Sequence, residues 1–209
     1  MLDIKGVRHL NEERLIEMIK YFNPGERSAL VDFTNTLQDL LLKHNYQERD
    51  IILVCIGSDR ATGDCLGPIV GHKLSFHKKK NRVSGLQLYG TLEKPVHAKN
   101  LNATLGLIGL YHPDALVIAV DASLGVMEHV GYVTIGEGHL FPGVGVDKDL
   151  PAVGDIFITG IVNLSGFSSQ TLLQTTHLNV VMQLADFISL GLYRCLVRSQ
   201  LRASLQRAE

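Results

Sequence analysis

Two aspartates, Asp64 in "CIGSDRATGDCLGP" and Asp121 in "VIAVDASLG", each follow a short apolar run. Two carboxyl groups brought to one place have two common uses. If close, they share a proton and work as a general acid/base pair, because like charges about 3 Å apart cannot both ionise. If somewhat farther apart, they ligate a divalent cation, with a histidine or water completing the shell. His139, the imidazole of the glycine-rich stretch "IGEGHLFPGVGVDKDLPAVGD", is the candidate third member, as proton carrier or as metal ligand. Each residue also has a plain structural use: aspartates after strands cap helices or close turns, and loop histidines face water. The loop before Asp64 adds Asp59 and Arg60, and "YGTLEKPVH" supplies Thr91, Glu93, Lys94 and His97 as candidate pocket lining or as ordinary solvated charge.

Several other chemistries are excluded by spacing. "GSDRATGDCLG" lacks the G-K-[ST] of a phosphate-binding loop, and its glycines do not fall in the G-x-G-x-x-G pattern of dinucleotide sites. Ser123 lies outside any G-x-S-x-G elbow. Cys55, Cys65 and Cys195 are three in number and have no paired metal-ligand spacing, so they suit a reducing compartment. Cys65, inside the Asp64 loop, reads as a small buried thiol before it reads as a nucleophile.

These residues need elements to hold them. From Arg49 onward, short apolar runs ending in glycines alternate with helical segments, the signature of βα units around a mostly parallel sheet. Strands are expected at about 51–57, 86–90, 115–120, 131–136 and 156–162, and helices near 66–79, 98–111 and 170–190 with an amphipathic tail to about 206. Before Arg49 the spacing of apolar residues predicts two amphipathic helices, one over 11–22 and one over 26–44. The expected architecture is α/β: a three-layer, doubly wound, mostly parallel sheet with an N-terminal helical extension. Residues 1–48 would form the extension and 49–209 the core of a single domain. In a doubly wound order the first and third core strands are neighbours, and ligands bind beyond their carboxyl ends. Asp64 and Asp121 would then flank one crevice.

The 209 residues include 45% hydrophobic and 20% charged residues, which excludes a disordered or fibrous chain. A formal net charge of -1 removes the uniform basic field of a nucleic-acid binder. The densest basic run, "HKKKNR" at 77–82, reads as a partner patch or as a solvated helix end. "MLDIKGVRHLNEERL" lacks the features of a signal peptide, and the longest apolar stretches carry Asp, Arg or His, so neither export nor a bilayer span is expected. A homo-oligomer is left open.

Over "VCIGSDRATGDCLGPIVG", "YGTLEKPVHAKNL" and "VIAVDASLG" the chain resembles the YyaC-type sporulation proteins of endospore-forming bacteria. That resemblance implies kinship with the spore germination protease and with hydrogenase maturation proteases. Gly57, Ser58, Asp64, Leu66, Gly67 and Pro68 are similar to one germination-protease motif, and Ala119 to Ala122 to another. The stretch His139 to Val146 is similar to a third, with Leu140 and Phe141 inserted. The resemblance implies Asp64 and Asp121 as the catalytic pair, with His139 beside them. From their place at the same sheet edge, Ser58, Asp59, Arg60, Thr91, Glu93 and His97 are expected to bind substrate. Ser58 stands where those relatives have asparagine, and Asp59 and Arg60 add charge where maturation proteases are apolar.

Three functions follow as alternatives. The first is a peptidase of sporulation or germination, cytoplasmic in the forespore or spore interior, acting on a protein or peptide such as a spore protein, with no cofactor. The second is a non-catalytic sporulation binding or scaffold protein. The third is a maturation-type endopeptidase with a divalent metal at Asp64, Asp121 and His139.

Overall fold

The structure is a computed structural model that describes residues 19–79, 86–143, 150–166 and 168–206. Strands β1 (Ile19–Phe22), β2 (Ile51–Cys55), β3 (Leu86–Tyr89), β4 (Leu116–Gly125), β5 (Val133–Glu137) and β6 (Ile156–Leu164) form one sheet in the order β1-β5-β6-β4-β2-β3. β3, β2, β4 and β6 run parallel, while β5 and β1 run antiparallel at one edge. The helices are α1 (Ala29–Lys43), α2 (Leu66–Lys79), α3 (Leu101–Tyr111), α4 (Ser169–Gln174) and α5 (Leu178–Gln206).

β2 reads "IILVC" because a central parallel strand is covered on both faces and needs apolar residues at every position. Leu53 and Cys55 join one core cluster with residues of α1, α2 and α5. Ile52, Val54 and Ile56 join the other, with Leu101 and Ile108 of α3. The result is the three-layer α/β arrangement, with α1, α2 and α5 on one face and α3 on the other.

Two expectations are corrected. Of the helix expected over 11–22, residues 11–18 lie outside the described residues, and 19–22 form an edge strand paired with β5. Phe22 turns inward there and meets the Phe33 ring edge-on at 5.4 Å. The helix expected over 170–190 with a tail to about 206 is instead two helices, α4 and α5, parted at 175–177, and α5 runs unbroken through Gly191. A Cβ at that position would press into the Phe33 ring, so the glycine lets α5 lie close against α1.

Within α5, Leu178–Ser199 is long and apolar enough to cross a membrane by length and composition, but 56% of that window is buried inside the protein. Val181, Leu184, Ile188 and Leu192 spend its apolarity on the core.

Candidate functional site

The first wall of the site begins where β2 stops. Ile56 still donates its N–H to the Val120 carbonyl at 2.7 Å, and Gly57 donates to the Val96 carbonyl at 2.8 Å. Gly57 then takes φ +134°, a conformation open to glycine, and a Cβ there would overlap the Asp64 carbonyl oxygen. The chain closes on itself: Ser58 donates its backbone N–H (2.8 Å) and its hydroxyl (2.9 Å) to Oδ2 of Asp64. Asp64 sits in the short 3-10 turn Gly63–Cys65 that leads into α2. Gly67 and Gly71 of α2 lie against the backbone of Ile56 and Gly90 with no room for a side chain. This seam fixes Asp64 at the end of β2.

The second wall is β4, which does not end at Val120 as expected. It continues through Asp121 to Gly125 because β6 goes on pairing with it, with a register shift between Ser123 and Leu124. β2 supplies no partner beyond Cys55, which pairs with Val120. Asp121 is therefore the first residue of β4 past the end of its neighbour. It is 9% exposed, and its Oδ1 accepts the Ala122 N–H at 2.8 Å. Burial, and then the charge of nearby Asp64, hold its carboxyl well above the usual carboxylate range, with the Ala122 hydrogen bond opposing them.

Asp64 and Asp121 line one crevice of about 190 Å³, together with Ser58, Arg60, His97 and Lys99, and close to Pro142 and Leu150. His97 and Lys99 come from the turn before α3. The His97 N–H bonds Asn100 Oδ1 at 2.8 Å, and its Nδ1 accepts the Lys99 N–H at 3.3 Å. A neutral imidazole held this way carries its proton on Nε2.

The other expected site residues are placed elsewhere. Asp59 is exposed and does not line the crevice. Thr91 is engaged in its own turn, where its Oγ1 accepts the Lys94 N–H at 3.1 Å, and Glu93 is exposed. His139 is exposed, bonds the Gly154 carbonyl through Nδ1 at 2.5 Å and is not among the lining residues. The expected three-residue metal site does not form: among the described residues no three His, Cys, Asp or Glu side chains are grouped to hold one ion. Two carboxyl groups, one of them held toward its protonated form, are a poor donor set for a resident cation.

Cys65 is half-buried and its thiol contacts the Ala61 carbonyl at 3.3 Å. Burial, then the charges of Asp59 and Asp64, push that thiol up, which is the opposite of an activated nucleophile. Residues 80–82 of the basic run lie outside the described residues. Lys99 is the lining residue the sequence reading passed over, although it stands two positions after His97 in the same loop.

Residues 21–191 match the family DUF1256, described as "Protein of unknown function". The chain is 50% identical over 144 residues to the uncharacterized protein YyaC of Bacillus subtilis (strain 168), covering 69% of this chain and 68% of that one. Among solved structures it is similar to the NiFe hydrogenase maturation protease HycI from Thermococcus kodakarensis KOD1. The TM-score is 0.51 at 18% identity, covering 77% of this chain and 98% of that one. At that identity the likeness is one of fold.

Proposed function

The chain belongs to the DUF1256 family, and from that premise we propose that it is a peptidase in which Asp64 and Asp121 activate water against a peptide carbonyl. The observation that carries this reading is the pairing itself: a carboxyl group displaced toward its protonated form faces the same small crevice as a second carboxyl group. Separation of the proton affinities of two neighbouring acids is how such pairs divide the roles of acid and base.

In this mechanism Asp64 takes a proton from water as its oxygen adds to the carbonyl carbon, and Asp121 gives its proton to the carbonyl oxygen. When the tetrahedral species collapses, the C–N bond breaks, the amine leaves with the proton held on Asp64, and a hydroxyl proton returns to Asp121. Each side chain ends as it began. Proton transfer of this kind contributes about 10²–10⁴-fold. Ser58, with two hydrogen bonds to Asp64 Oδ2, keeps that carboxylate aimed. The substrate in this reading is a protein or peptide of the spore, met inside the forespore or spore. The resemblance to sporulation proteins supports that choice.

The test is turnover of a defined peptide library read by mass spectrometry, with wild type and with Asp64→Asn and Asp121→Asn. Loss of cleavage in both variants, with unchanged circular dichroism, is expected. Cleavage surviving in the double variant, or no cleavage by wild type, overturns the proposal.

A further inference from the structure

Arg60, from the loop after β2, and Lys99, from the turn before α3, both line the crevice, and both are exposed. Ion pairs elsewhere in the molecule engage Lys43, Arg49 and Lys73. Among the described residues, neither the Arg60 guanidinium nor the Lys99 ammonium has a carboxylate within ion-pair distance, although Asp64 faces the same space.

The charged groups of the described lining are few. Asp121 is held toward its neutral form. Among the described lining residues, two unpaired cations, Arg60 and Lys99, then stand beside the carboxyl groups of Asp64 and Asp121. Two unpaired cations at one crevice suit an anionic group on a ligand. At about 190 Å³ the crevice is also smaller than the roughly 300–1,000 Å³ typical of small-molecule sites.

We propose, resting on the peptidase reading above, that Arg60 and Lys99 grip the C-terminal carboxylate of a peptide and present a bond near its end to Asp64 and Asp121. Arg60 offers a planar fork that matches a carboxylate, and Lys99 a point charge beside it. Hydrolysis there consumes one water per bond. It leaves a shortened chain with a new carboxylate and releases an amino acid or dipeptide with a new amine, with no other reactant. A carboxylate could also come from an acidic side chain within a longer peptide, and the test separates the two sources.

The test uses the full chain and three probes: N-acetyl-trialanine with a free carboxylate, its C-terminal amide, and N-acetyl-alanyl-glutamyl-alanine amide. Binding is measured by isothermal titration calorimetry and by chemical-shift changes at the Arg60 side chain. Charge-assisted hydrogen bonds to a carboxylate predict that the free acid binds at least about tenfold more tightly than the amide. That preference should collapse in Arg60→Gln/Lys99→Gln, whose fold is checked by thermal melting. Equal binding of acid and amide, a preference unchanged in the double variant, tighter binding of the internal glutamate probe, or no binding of any probe at millimolar concentration each overturns the proposal.

Failure here is distinguishable from failure of the peptidase reading. A carboxylate preference without cleavage of any peptide removes the catalysis and keeps the grip. Internal cleavage of long peptides without an acid-over-amide preference does the reverse.

Discussion

Asp121 holds its proton to higher pH than it would in the unfolded chain, and stability is linked to that difference. Below the ordinary value of 3.8 both states are protonated and nothing is lost. As pH rises beyond it, the unfolded chain releases the proton while the folded chain keeps it, so stability falls until the raised folded value is passed. Each tenfold change in proton affinity is worth about 1.4 kcal/mol. Asp121→Asn removes this penalty and should be more stable than wild type at pH 7, with the advantage vanishing near pH 3. Urea unfolding at the two pH values checks this, and an asparagine variant less stable at pH 7 would show that the native carboxylate is ionised and well solvated. The two aspartates were legible because strand ends in such sheets face ligands. The placing of His139 was not, since nothing in its neighbours reveals that Nδ1 turns to the Gly154 carbonyl. Thr91 and Glu93 share a loop with His97, but their turn closes on itself and leaves His97 and Lys99 to face the crevice.

Elements meet the site through their glycines. Gly57→Ala would strain a positive φ and displace the Asp64 carbonyl, which costs about 1–3 kcal/mol from the backbone alone. In α3, Gly106 is exposed and has nothing within 4 Å of a Cβ, so Gly106→Ala should stabilise by roughly 0.8–1 kcal/mol. Opposite shifts in melting temperature are expected for the two variants, and a stabilised Gly57→Ala would refute the close approach at the end of β2. Most elements were readable from continuous apolar runs or a period of 3.6, including β2, β6 and α1. The overrun of β4 was not, because Asp121, Ala122, Ser123 and Gly125 are weak strand formers on their own. The long partner β6 supplies the ladder that keeps them extended. Strand direction was equally hidden: β5 has the composition of a parallel strand and runs the other way.

Across the whole molecule the two layers of helix are unequal. α1, α2 and α5 build the larger core cluster around Phe33, whose ring meets Phe22 and Phe187, each at 5.4 Å. Phe33→Ala should cost about 3–5 kcal/mol in chemical denaturation, and a cost under about 1 kcal/mol would place the main core elsewhere. This architecture was legible from the alternation of apolar runs, whereas which face took which helices depended on long-range packing that no local pattern carries. Among the described residues, the face that holds Asp121 is covered by α3 and by loops. The larger core cluster thus lies on one side of the sheet and the crevice on the other. Evolution could replace the loops around the crevice with little penalty to folding.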